Sequence, residues 1–184
     1  MKRQLFFIIS SFGFTQYAYI PYQAPFLSTL RAASRFYRRY CWLLWHIANS
    51  IQVPVVILAD YGKFPKLFII CGCAIAFLAS SIRFIFCSPN RFLIANFLSG
   101  LSCSTWISFI VLFMNLYFPN QQKKASSIAT CAQNIGILSA FITGMLVFPI
   151  PGMKTICLTC MITATVGTIL SCLLPVNYSL HISL

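Results

Sequence analysis

One acidic residue, Asp60, stands in a chain of 184 residues, and there are two histidines, His46 and His181. That scarcity disfavours an enzyme. A catalytic dyad at membrane depth needs partners that one acid and two remote histidines do not supply, and no serine–histidine or metal-ligand spacing is present. Cys157 and Cys160 would be the only handle for such chemistry. Charge of either sign is also scarce, 8% of residues against about 25% in soluble domains. With 59% hydrophobic residues, too little polar surface remains to coat a soluble globule. The net charge of +12 therefore does not point to nucleic acid, which would call for a basic face on a soluble fold. Alternating segments of about ten residues are absent as well, which excludes a membrane barrel.

What the chain does have is long apolar runs. Six can be counted, about 5–27, 41–59, 67–87, 92–118, 125–148 and 153–174. A helix needs about 20 residues to cross a hydrocarbon core of about 30 Å and satisfies its own backbone there. The expected fold is all-α, a single polytopic membrane domain of six transmembrane helices over residues 1–184. The connectors are short and carry the turn-formers: "GKFPK", "CSPNR", "FPNQQKK" and "FPIPG". The opening "MKRQLFF" lacks a small-residue cleavage site and reads as a retained first helix. Of the nine cysteines, most lie inside apolar runs, where they behave as small hydrophobes. Cys157 and Cys160 form a CxxC, but zinc would need further ligands. No cofactor and no metal is implied.

Lysine and arginine placement sets orientation. With the N-terminus cytoplasmic, Lys2, Arg3, Lys63, Lys66, Lys123 and Lys124 lie inside, and Arg31, Arg35, Arg38, Arg39, Arg91 and Lys154 outside. Arg83, near the outer end of the third run, is expected to snorkel outward. The two sides balance only because of the four arginines in "RAASRFYRRYCWLLWH"; without them the count is a clear N-in pattern. The expectation is an integral protein of the cell (inner) membrane with its N-terminus in the cytoplasm.

Three stretches resemble the major facilitator superfamily of transporters. In "VPVVILADYGKFPKLFIICG", Leu58, Ala59, Asp60, Gly62, Lys63 and Lys66 are similar to that family's loop between helices two and three, with Val56 in place of its glycine and Tyr61 in place of its arginine. "FGFTQYAYIPYQAPFL" resembles the first helix. "FLSGLSCSTWISFIVLFMNLYFPNQQKKASSIATCAQNIG" resembles helix four, the following loop and helix five, on the spacing of Gly100, Thr105, Trp106, Phe118, Pro119 and Asn134. Where the family often carries an arginine four residues before the glycine of helix four, this chain has Asn96. The resemblance covers nearly the whole chain but only the first six of the family's twelve helices. It implies transport of a small solute by alternating access, with a second transporter half or a homodimer completing the path, or else a decayed remnant of a longer carrier, the option preferred here. Asp60, Gly62, Lys63 and Lys66 would form the cytoplasmic gate. Gln16, Tyr17, Asn96, Trp106 and Asn134 are the candidates for the solute cavity.

Asp60 can also be read from physics alone. An anion at a helix C-terminus is disfavoured by about 0.3–1 kcal/mol, so it calls for a partner, and Lys63 and Lys66 are the local ones. A solvated interfacial carboxylate is the plainer alternative. Likewise, Tyr17 and Trp106 fit interface anchors, and Asn134 an interhelical hydrogen bond. Gly100, Ser104, Gly136, Ser139 and Gly144 suggest close helix packing.

Residues 31–52 fit none of this. The resembling family has a glycine-rich helix there. Codons allowed for "RFYRRYCWLLWHIA" together with the first base of Asn49, read one base later, encode G-F-I-G-V-I-V-G-S-Y-G-I-S-Q. The segment is hypothesised to be frameshifted, and a nucleotide sequence whose shifted frame lacks that run contradicts the hypothesis. The alternative is a native basic loop that binds anionic lipid, at about 1 kcal/mol per arginine, or a partner protein, in a membrane module that does not transport. Expected partners are thus membrane lipids and a small-molecule solute, with no nucleic acid.

Overall fold

The computed structural model describes residues 2–29, 34–62, 65–86, 88–106, 109–110, 122–149 and 152–174. Every regular element among them is a helix: α1 (Lys2–Tyr17), α2 (Ile20–Thr29), α3 (Ser34–Gly62), α4 (Pro65–Ile85), α5 (Pro89–Ser104), α6 (Gln122–Val147) and α7 (Met153–Cys172). Neighbours in space run α3–α5–α4–α7–α1–α6.

Three of these helices are long and apolar enough to cross a membrane, over Lys66–Ile85, Lys123–Val147 and Met153–Cys172. The other apolar runs depart from simple spans for local reasons. The first is broken at Ala18–Tyr19 into helices of 16 and 10 residues, each shorter than the ~20 a crossing needs. Pro21 accounts for the break. It has no N–H to give to the carbonyl of Tyr17, and its ring clashes there. The second run becomes α3, 29 residues long. It begins at Ser34 rather than near residue 41, so its first turns carry the arginine-rich stretch; Arg38 and Arg39 are exposed. The fourth run gives α5 as far as Ser104, after which Thr105 N–H turns back to Ser102 O at 3.1 Å; residues 111–121 lie outside the described set.

The elements pack as a helix bundle in which α6 turns its small residues inward and its large apolar side chains outward. Along α6 the buried positions are Ala125, Ala129, Ala132, Gly136, Ala140 and Gly144, spaced three and four apart, one face of a helix. Ile135, Leu138, Phe141, Ile142, Met145 and Leu146 are exposed. Water would penalise that arrangement, whereas lipid favours it, because small residues let helix backbones approach. The approach is close. A Cβ on Gly136 would run into the backbone carbonyl of Ser10 on α1, whose hydroxyl donates to Ala132 O at 2.8 Å.

Two apolar clusters fill the interior. One holds Leu5, Ile8, Ile9, Phe12, Ile69, Cys73 and Phe109, the other Tyr19, Leu27, Phe92, Met153, Ile156, Cys157 and Cys160. Between them, in the register of α1, α4 and α5, lies a seam of buried polar residues. At the turn into α7, Gly152 takes φ 73°, a backbone conformation that glycine adopts without steric cost.

Candidate functional site

The seam is built from the helix break outward. Asn96, Ser99 and Ser102 are three residues apart on α5 and so share one face, and all three are buried. Gln16, just before the break, donates from Nε2 to Ser102 Oγ at 2.7 Å. Ser102 Oγ in turn donates to Gly72 O on α4, also at 2.7 Å. Gly72 makes that crossing possible, since any Cβ there would collide with the Thr105 side chain. Past the break, Gln23 of α2 donates from Nε2 to Asn96 Oδ1 at 2.9 Å.

The same Asn96 oxygen accepts from Arg83. This arginine, in the last turn of α4, is 1% exposed. Its Nη2 donates to Asn96 Oδ1 and to Ser99 Oγ, each at 2.8 Å. Its guanidinium carbon lies 3.7 Å from the centroid of the Tyr19 ring. The expectation of outward snorkelling is corrected: the side chain folds back between helices. The reason is visible in its surroundings, because Tyr19 offers a π-face and α5 offers two oxygens. Hydrogen bonds to a charged group contribute about 1.5–3 kcal/mol, and a desolvated cation–π contact about 2 kcal/mol.

Those contacts do not complete the site. Arg83 Nε and Tyr19 Oη are buried without a hydrogen-bond partner among the described residues. Among the described residues no carboxylate stands beside it. The chain's single acid, Asp60, precedes the start of α4 while Arg83 lies at its far end, about 27 Å away along the helix at about 1.5 Å per residue. Burying an ion costs several kcal/mol even after relaxation, and here only neutral groups answer it.

The sequence-derived candidates divide. Gln16 and Asn96 both lie on the seam. Tyr17 is half-buried beside the break. Trp106 is half-buried and stacks against Phe12, with ring centroids 6.3 Å apart, at the edge of an apolar cluster. Asn134 is exposed on α6, where it lines a shallow groove of about 570 Å³ with Ser126, Ser127, Thr130 and Cys131; the structure does not bring it to the seam. Asp60 and Gly62 fall in the last turn of α3, but the Asp60 side chain, like Lys63 as a whole, lies outside the described set. Lys66 is engaged elsewhere. Its Nζ donates to Leu174 O at 2.7 Å and Cys172 O at 3.1 Å, a cation placed where the end of α7 leaves carbonyls unpaired. Cys157 and Cys160 are buried against the second apolar cluster. No group of three or more metal-ligating side chains comes together among the described residues.

Arg83, Tyr19, Gln23, Ser99 and Ser102 complete the seam and were not among the candidates. A signal existed: a lone cation inside an apolar run, followed in the next run by three polar residues at helical spacing. No protein-family model matches the chain, and no curated protein matches it.

Proposed function

We propose that the chain moves a small solute across a membrane by alternating access, as a six-span bundle built like the N-terminal half of a major facilitator transporter. The observation that supports this reading best is the buried polar seam at a broken helix. Discontinuous helices with polar groups at membrane depth are how secondary transporters form solute sites. The seam joins α1, α2, α4 and α5, and includes Gln16 and Asn96. The meeting of Arg83 with Asn96 adds support: a guanidinium from α4 reaches the position where the resembling family often has its own arginine on helix four. In this proposal Asp60, Gly62, Lys63 and Lys66 gate the cytoplasmic side, the N-terminus is cytoplasmic in an inner membrane, and a second half or a second copy completes the path.

A second reading has its own observation. Arg38 and Arg39 are exposed near the start of α3, together with Trp42 and Trp45, and Trp42 stacks on His46 at 4.3 Å. Cations beside tryptophans suit an anionic membrane surface, so a module that binds lipid and transports nothing is the alternative.

Labelling at the seam separates the two. A Ser99→Cys chain in oriented vesicles is treated with a membrane-impermeant thiol reagent from each side, against the unsubstituted chain as background. Alternating access predicts added labelling from both sides, with reaction from one side protecting against the other. Labelling from neither side contradicts transport and leaves the lipid-binding module.

A further inference from the structure

The geometry points to Arg83 as the anchor of a binding site for an oxyanion, a carboxylate or phosphate group on a small molecule or lipid. Four observations converge. Arg83 is 1% exposed, so bulk water does not solvate its charge. Its hydrogen-bonded partners, Asn96 and Ser99, are neutral. Two donors at this spot, Arg83 Nε and Tyr19 Oη, have no acceptor among the described residues. The only acidic side chain in the sequence, Asp60, belongs to the last turn of α3, before α4 begins, whereas Arg83 lies in the last turn of α4. Two orphaned donors beside an uncompensated positive charge are what an oxyanion satisfies, since its oxygens accept several charge-assisted hydrogen bonds at once. A neutral solute would leave the charge unanswered and a cation would be repelled.

Entry has a structural route. The first apolar run is interrupted at Ala18–Tyr19, and α2 beyond it is held by a few side chains, Gln23 on Asn96 and Phe26 on Phe92 of α5 and Tyr22 against Gly144 of α6, beside limited backbone proximity to α1 and α7. Swinging α2 about that break would draw Gln23 away from Asn96 and uncover the Arg83 guanidinium, a hinge motion absorbed by a few residues. Gln23 shares the Asn96 oxygen with Arg83, so its departure would also free that acceptor's second bond. In the transport proposal the oxyanion is the solute's recognised group. Binding itself rests on the site alone, and the test below reads binding without transport, so either idea fails separately.

The purified full chain in a phosphate-free maltoside detergent is titrated with sodium phosphate, sodium propionate and, in mixed micelles, phosphatidylglycerol, each against sodium chloride at equal ionic strength. The thermal unfolding midpoint is followed for the wild type, Arg83→Gln, Arg83→Lys and Tyr19→Phe. At least one oxyanion is expected to raise the wild-type midpoint by about 2–4 °C near saturation. A response to phosphate or propionate identifies a soluble ligand class, and a response to phosphatidylglycerol alone identifies a lipid headgroup; both support the site. Arg83→Gln should lose the response and Arg83→Lys keep a weaker one. Tyr19→Phe, which retains the ring over the guanidinium, should weaken binding about 5–10-fold and serves if Arg83→Gln does not fold. No oxyanion response in the wild type, or an equal response in the wild type and the variants, overturns the inference.

Discussion

Arg83 and Asn96 meet as a buried cation and a neutral acceptor, Nη2 to Oδ1 at 2.8 Å. Asn96→Asp turns that acceptor into the counter-ion the chain lacks, with almost no change of shape. A charge-assisted bond is roughly twice as strong as a neutral one. The substitution is therefore expected to stabilise the fold by about 1–3 kcal/mol, measured by denaturant unfolding in detergent micelles. If Arg83 is already satisfied by its neutral neighbours, the added buried carboxylate lowers stability instead.

Gln16, Ser102 and Gly72 form a relay in which one hydroxyl both accepts and donates. Ser102→Ala strands the Gln16 amide, while the Gly72 carbonyl keeps its partner within α4, and should cost about 1–3 kcal/mol. Adding Gln16→Leu should recover part of the loss, because the stranded group then leaves with it. A double-mutant cycle on unfolding free energies checks this; strict additivity would deny the coupling.

Gly136 is the closest point between α6 and α1, where a side chain would meet the Ser10 carbonyl. Gly136→Leu is expected to force the helices apart and destabilise by several kcal/mol, beyond the usual overpacking cost of about 1–3 kcal/mol. Leu138→Ala, on the exposed face two residues away, should change stability by less than about 1 kcal/mol. Thermal midpoints of the two variants in the same detergent test the inside-out assignment of α6.

Lys66 holds the end of α7 through the carbonyls of Cys172 and Leu174. Lys66→Met should fray that end and cost about 0.5–1.5 kcal/mol, with faster amide exchange confined to the last turn of α7. Unchanged exchange there would mean that Lys66 is not the cap.

The helical, membrane-directed character of the chain was legible because it rests on composition and run length, which need no partner. The small face of α6 was partly legible too, since Gly136 and Gly144 stood out from their apolar neighbours. The site was harder to read. Gln16 and Asn96 looked like polar groups at membrane depth, but nothing local tells that Arg83 turns inward. Its direction depends on Tyr19 and Ser99, which lie 64 and 16 residues away in sequence and meet it only in the folded bundle, with the first apolar run broken at Ala18–Tyr19. Asn134 misled for the same reason in reverse. Its spacing matched a helix, but the face it occupies is set by the small residues packed against α1, which turn it outward.

The most direct test of transport is uptake by proteoliposomes containing the chain alone, offered a panel of radiolabelled carboxylates, phosphate esters, amino acids and sugars, beside empty vesicles and the Asn96→Asp chain. Transport through the seam predicts that one class accumulates above empty vesicles and that Asn96→Asp abolishes it while the protein remains folded. Accumulation that persists in Asn96→Asp contradicts transport through the seam, and none in any class from a folded wild-type chain contradicts transport by this chain alone or with a second copy of itself.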